Sequence, residues 1–271
     1  MSNGQIEQNG HNMNQFFLNL DTLFLSPSGS MTYHLIILIS IIISLQLVMG
    51  KNNQRKNTIR KKIMIGLLLS LAMETILLVL AAITQAGIIE GRSILPVLNR
   101  YFMTVMVLNL IWLWISSSEK KTYNLLFALF NAVLFVLFTF SIWSWSQFYA
   151  DIFFNQTDLD WIWGFVTIGL LIAGIFLLAI QRPSTWITGL TLLTLNLAFQ
   201  FLHIFLYRTQ ADISSINRLA ILAAFPFLPT LIQERLPAYK SAAIHPRIKT
   251  YANFFNKKIK VLTDNNPDSF K

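Results

Sequence analysis

The stretch GKNNQRKNTIRKK, from Gly50 to Lys62, carries six basic residues and no acid, and it separates two apolar runs long enough to cross a bilayer. Lys and Arg close to a membrane span stay on the cytoplasmic side. The stretch therefore predicts one cytoplasmic loop, and the direction of every later span alternates from that loop.

The composition favours a membrane-embedded chain over a soluble one. Of 271 residues, 54% are hydrophobic and 12% are charged, whereas about a quarter of a soluble domain is charged. The absence of cysteine excludes disulfides and thiolate metal sites, and no other metal site is expected. The net charge of +9 is attributed to membrane orientation rather than to nucleic-acid binding, because the positive excess gathers on one predicted face of the membrane.

Seven apolar runs predict an all-α polytopic membrane protein, built as a seven-helix transmembrane bundle. The predicted spans are about 31–49, 63–86, 98–116, 123–142, 161–180, 186–207 and 214–232. With the amino terminus outside and the carboxyl terminus in the cytoplasm, the basic residues on the external side are Arg92, Arg100, Arg208 and Arg218. The other seventeen of the 21 fall on the cytoplasmic side, as the positive-inside rule favours.

Two flanking segments complete the predicted domain organisation. Residues 1–30 hold an apolar stripe at helical spacing without Lys or Arg, which favours an external amphipathic segment over a flexible tail. Residues 233–271 form a basic cytoplasmic tail, in which 247–262 has the spacing of an amphipathic helix. This helix is expected either to lie on the inner leaflet or to begin a coiled coil.

Glu74 is the only acid inside a predicted span, so it should face the bundle interior, a partner or water. At 1.5 Å per residue, Asn109, Asn131 and Asn196 fall at a similar depth, and a polar layer is expected there. One interpretation of this layer is a ligand pocket or a proton-sensitive switch. The other is a set of hydrogen bonds that holds the helices together.

Other residues near the predicted outer surface have simpler interpretations. His34 and His203 lie on spans one and six at positions where they can ligate one b-type haem, although interfacial anchoring without a cofactor is preferred. Arg100 and Arg208 are expected to extend towards lipid headgroups. Four tryptophans beside the loop after span four are expected to anchor in the interface: Trp143, Trp145, Trp161 and Trp163.

The sequence contains no catalytic motif that we can identify, so a non-catalytic protein is expected. It has no HExxH, GxSxG, P-loop or dinucleotide-binding fingerprint. In span seven, Pro226 and Pro229 predict a kink just before the chain reaches the cytoplasm.

The order of parts resembles a known group of membrane proteins. The segment LFLSPSGSMTYHL (Leu23–Leu35), a basic first inner loop, seven helices and a helical exit resemble the amino-terminal membrane region of bacterial multidomain sensor proteins. Many of those proteins are histidine kinases with GAF or PAS modules, and the likeness covers roughly residues 20–245. It implies a sensory input domain of the bacterial cytoplasmic membrane that signals through span seven to a cytoplasmic protein partner.

Kinase activity is not implied by this resemblance, because no phosphoacceptor, ATP site or cyclase domain is found in the sequence. The alternative function is an accessory or assembly subunit of a larger bacterial membrane complex, such as an electron-transfer complex.

Overall fold

The computed structural model describes residues 19, 21–50, 57–115, 121–147, 151–182, 186–206 and 211–235. Within these ranges the regular structure is helical, without a strand. Residues 1–18 of the predicted external segment, Arg208 and the predicted helix at 247–262 lie outside the described residues.

Six long helices account for most of the fold. They are α1 (Pro27–Gly50), α2 (Asn57–Gln85), α3 (Leu95–Ile115), α4 (Lys121–Trp145), α5 (Asp158–Gln181) and α6 (Trp186–Phe201), which continues as a π-helix over Leu202–Leu206. All six are long and apolar enough to cross a membrane. The expectation of an all-helical, multi-pass membrane protein is confirmed at this level.

The segment predicted as span seven differs from the other six because it is divided. It consists of α7 (Ser215–Ala224), a 3-10 segment (Phe225–Phe227) and α8 (Leu228–Arg235). Pro226 and Pro229 have no amide hydrogen to donate, so neither can continue the hydrogen-bond ladder of α7. The interruption lies where the two prolines predict a kink.

The helices form a ring in which α3 is the most buried member. α3 packs against α2, α4 and α5, and 94% of its apolar window is buried. The ring continues from α5 to α6 and α7, and it closes where α7 and α8 pack on α1, which in turn contacts α2.

α4 lies at the edge of this ring, and only 11% of its apolar window is buried. Its main packing partner among the described elements is α3. Most exposed side chains of α4 are apolar, among them Leu125, Val133 and Phe140, as expected for a helix surrounded by lipid chains.

The two ends of the bundle are named after the residues at which α1 begins and ends. At the Pro27 end, α1, α3, α5 and α7 begin while α2, α4 and α6 end; the opposite end is the Gly50 end. Interhelix contacts tie the Pro27 end together. Gln85 Nε2 donates to the Pro27 carbonyl (3.2 Å), and Arg92 Nε donates to Asp212 Oδ2 (2.9 Å).

Two tryptophans at the Pro27 end belong to the core. Trp145 and Trp163 are almost completely buried, whereas Trp143 is exposed. Trp145 Nε1 donates to the Arg92 carbonyl (2.8 Å), and Trp163 Nε1 donates to Ser141 Oγ (3.1 Å). The prediction of interfacial anchoring is therefore wrong for Trp145 and Trp163, because each indole N–H finds a partner inside the protein.

Candidate functional site

Two clusters of buried polar side chains lie at the Pro27 end. The first, the His34 cluster, consists of Tyr33, His34, Glu74 and Arg218. The second, the Arg100 cluster, consists of Arg100, Asn155, Asp160, His203 and Ser214. Both clusters join helices that are far apart in the sequence.

A short hydrogen-bond contact joins α1 to α2 in the His34 cluster. His34 Nδ1 lies 2.6 Å from Glu74 Oε1, and the side chains are 2% and 1% exposed. Glu74 therefore faces a protein partner, which is one of the surroundings that a charge at membrane depth requires. The sequence marked both residues as candidates, but as parts of two different sites.

Arg218 approaches the same cluster from α7. Its Cζ lies 5.0 Å from the centre of the Tyr33 ring, and Nη1 donates to the Phe24 carbonyl (2.5 Å). Its Nε has no hydrogen-bond partner among the described residues, and none of the ion pairs found there includes Arg218. A guanidinium that is 2% exposed thus lacks a carboxylate within 4.0 Å in the described part of the chain.

Arg100 is buried as deeply as Arg218 but has an acidic partner. Its Nη2 lies 2.5 Å from Asp160 Oδ1 and donates to Asn155 Oδ1 (2.9 Å). The prediction that Arg100 extends to headgroups is wrong. A carboxylate in the first turn of α5 stabilises the guanidinium inside the bundle instead.

His203 joins α6 to three other members of the Arg100 cluster: Arg100, Asp160 and Ser214. It lies in the π-helical end of α6, and local π-helix is frequent at functional sites. Its Nε2 lies 2.8 Å from Arg100 Nη2 and 3.0 Å from Asp160 Oδ2, while Nδ1 lies 2.9 Å from Ser214 Oγ. Because Nε2 either accepts from Arg100 or donates to Asp160, its protonation decides which bond forms.

The Ser214, His203 and Asp160 side chains are of the types found in nucleophilic triads. Ser214, however, is 1% exposed, and its Oγ caps α7 by accepting from the Asn217 amide (3.3 Å). A substrate cannot reach that oxygen in this conformation, so the arrangement supports packing rather than nucleophilic catalysis.

The three asparagines expected beside Glu74 take separate partners. Asn109 Nδ2 donates to Ser70 Oγ (3.3 Å), and Ser70 precedes Glu74 by about one turn of α2. Asn131 and Asn196 each donate to a carbonyl four residues earlier in their own helix. The hydrogen bonds found among the described residues therefore do not join Glu74, Asn109, Asn131 and Asn196 into one layer.

A cavity of about 170 Å³ lies beside the His34 cluster, between α1, α2, α3 and the start of α7. Its polar lining includes His34, Arg218, Asn99 and Thr84. The Oγ1 of Thr84 is buried without a hydrogen-bond partner in the described part of the chain. Most of the remaining lining is aliphatic, so the cavity combines a cationic end with an apolar wall.

A smaller cavity of about 20 Å³ lies between α3, α5, α6 and α7, next to the Arg100 cluster. Its lining includes Arg100, Asn196, Gln200 and Asn217. Both polar side-chain atoms of Asn217 lack a partner among the described residues. This volume suits a single water molecule.

The first turn of α7 links the two clusters. Ser214 contacts His203, Asn217 lines the smaller cavity, and Arg218 lines the larger one. Sequence reasoning missed this junction, because it assigned Arg218 to the external side and did not identify Asp160. The sequence contained one indication of the junction, because each basic residue that was predicted to be external lies close to the end of a predicted span.

The two candidate haem ligands lie in different clusters. Both ring nitrogens of His203 have protein atoms within 3.0 Å, and His34 Nδ1 contacts Glu74. His203 therefore has no ring nitrogen directed at a shared iron position, and we assign no cofactor to this pair.

No protein-family model, curated protein or solved structure matches the chain. Evidence on function therefore comes from the geometry of the two clusters and of α7.

Proposed function

We propose that the chain is a non-catalytic, sensor-like membrane module. A ligand bound at the Pro27 end would shift α7 and α8 against the other helices and so signal to a protein partner at the Gly50 end. The observation that carries this proposal is the first turn of α7, which contacts both buried clusters and both cavities.

The break between α7 and α8 supports this role. A helix that is divided by a 3-10 segment can bend at that segment, because fewer backbone hydrogen bonds have to break there than in a continuous helix. α8 packs on α1, so a change at α7 can reach the Gly50 end along that contact.

The proposal includes a topology. α7, the 3-10 segment and α8 together rise about 30 Å at 1.5 Å per residue, which is the thickness of a bilayer core. They would form the seventh span, with the Pro27 end outside and the Gly50 end in the bacterial cytoplasm. The distribution of basic residues and the resemblance to sensor proteins support this orientation.

Spin-label distances can test the movement of α8. The chain has no cysteine, so Thr230→Cys on α8 and Leu125→Cys on α4 can be labelled without background. Both side chains are exposed. We expect Glu74→Gln, which removes the acid of the His34 cluster without a change in volume, to shift or broaden the distance between residues 230 and 125.

A matched label pair provides the control. Ile65→Cys on α2 and Leu125→Cys on α4 report on two helices other than α7 and α8, so their distance should not change if the movement is confined to α7 and α8. An unchanged distance between residues 230 and 125 in a folded Glu74→Gln protein would contradict the proposal.

A second candidate function is supported by α4. This helix contacts mainly α3 among the described elements, and its largely exposed apolar surface, which includes Phe130, Phe135 and Trp143, leaves room for another membrane subunit to pack there. Native mass spectrometry after mild extraction separates the two candidates. A stoichiometric protein partner in the membrane would favour an accessory subunit, and a monomer or homodimer would favour the sensor.

A further inference from the structure

We infer that the 170 Å³ cavity binds the anionic group of a small organic molecule, and that Arg218 is the residue that recognises it. This inference rests on the proposed function and specifies its ligand. A ligand of this class would have one carboxylate or phosphate group and a compact apolar body.

The buried charge of Arg218 is the first observation in favour of an anion. Burial of a guanidinium costs several kcal/mol unless a counter-ion compensates for the lost hydration. In the described part of the chain, Arg218 has a carbonyl and an aromatic ring but no carboxylate within 4.0 Å. An anion in the cavity would supply the missing counter-charge.

The position of Arg218 beside the cavity is the second observation. Arg218 lines the cavity, and its Nε is buried without a partner in the described residues. Thr84 belongs to the same lining, and its hydroxyl is also buried without a partner among the described residues. An anionic group in the cavity would lie against both side chains, and a small rotation of each would turn its unused donor towards that group.

Glu74 does not remove the need for an anion. Its Oε1 is held 2.6 Å from His34 Nδ1, and no ion pair within 4.0 Å joins it to Arg218 among the described residues. It acts on Arg218 only through its longer-range field. Glu74 is therefore expected to weaken anion binding without replacing the anion.

The cavity also limits the size of the ligand. A cavity of about 150 Å³ accommodates a molecule the size of benzene, and this one measures about 170 Å³. The aliphatic part of the lining includes Leu77, Ala81 and Leu95. These side chains suit the body of an aromatic or short aliphatic acid.

Such an anionic group has two sources, a free organic acid or the phosphate of a lipid headgroup. The probe for the first is radiolabelled benzoate, bound at equilibrium to the full chain in phosphatidylcholine nanodiscs. Benzyl alcohol, its neutral analogue of similar size, serves as competitor. The probe for the second is phosphatidylglycerol added to the nanodiscs, with native mass spectrometry of the lipid that the chain retains.

We expect benzoate to bind and benzyl alcohol to compete at least tenfold less well. Arg218→Gln should weaken benzoate binding by about tenfold to a hundredfold, the range of a charge-assisted hydrogen bond. Arg218→Lys should retain part of the affinity, and Thr84→Val should lower it by a smaller factor. Arg92→Gln is the control, because Arg92 is paired with Asp212 and is not in the lining.

A lipid source gives a different pattern with the same variants. Phosphatidylglycerol would then compete with benzoate, and the wild-type chain would retain one lipid that Arg218→Gln loses. Equal affinity for benzoate and benzyl alcohol, or no binding of either anion, would overturn the inference even if Arg218→Gln did not fold. Undiminished binding of an anion to a folded Arg218→Gln chain would overturn it as well.

The label pair at residues 230 and 125 separates this inference from the proposed function. Anion binding without movement of α8 would support the site and contradict the sensor mechanism. Movement of α8 in Glu74→Gln without any anion binding would support the sensor mechanism and contradict this site.

Discussion

Arg100 and Arg218 lie at the same end of the bundle and are almost equally buried, with 5% and 2% of their surface exposed. Arg100 contacts a carboxylate, an amide and an imidazole within 2.9 Å. Arg218 contacts one carbonyl and one ring and borders a cavity. The first arrangement is complete within the protein, and the second leaves a buried donor unused.

This difference separates a residue that holds the fold together from one that is available for binding. Loss of one partner of a buried ion pair lowers the stability of a protein strongly, because the other charge stays buried without compensation. A buried cation without an acid costs stability until an anion arrives. The four substitutions below test this contrast, from the largest expected effect to the smallest.

Arg100→Gln should have the largest effect. It leaves Asp160 buried without its cation, so we expect the free energy of unfolding to fall by about 3–5 kcal/mol. Titration with a denaturing detergent in mixed micelles would measure this loss. A loss below about 1 kcal/mol would show that the Arg100 cluster does not stabilise the bundle as its geometry indicates.

Glu74→Gln should have an intermediate effect. The amide keeps the volume and one hydrogen bond to His34 but loses the charge, so about 1–2 kcal/mol of unfolding free energy should be lost. The same change removes the acid whose field acts on Arg218, so benzoate affinity should rise at least about threefold. A decrease in benzoate affinity would contradict the role given to Glu74.

Arg218→Gln should change stability by less than about 1 kcal/mol without ligand, because the cost of the buried charge is removed together with its contacts. Unfolding of wild type and variant in parallel, with and without benzoate, would measure both terms. Benzoate should stabilise only the wild type. A loss as large as that of Arg100→Gln would remove the contrast between the two arginines.

Arg92→Gln should have the smallest effect. The pair of Arg92 with Asp212 is partly exposed, at 32% and 21%, and pairs of this kind contribute about 0.2–1 kcal/mol. Added salt should reduce the difference from wild type further. A larger loss would indicate that the contact of Arg92 with Asp212 (2.9 Å) and the hydrogen bond from Gln85 to the Pro27 carbonyl (3.2 Å) stabilise the Pro27 end together.

The candidate residues illustrate how far sequence reasoning reaches. Glu74 was identified as the one acid in a span, because hydropathy alone marks a charge in an apolar run. Asp160 was not identified, since a residue at a span end can turn towards water or towards the core. Local pattern does not distinguish these two directions, and the rotation of α5 decides between them.

The sequence by itself determined that the chain is helical and crosses a membrane, because span length, apolar run and proline position are local properties. Only the tertiary structure decided which polar residues meet. His34 contacts Glu74 across two helices, and Arg100 contacts His203 from 103 positions away. Those pairings depend on the order and rotation of helices around α3, which no single apolar run encodes.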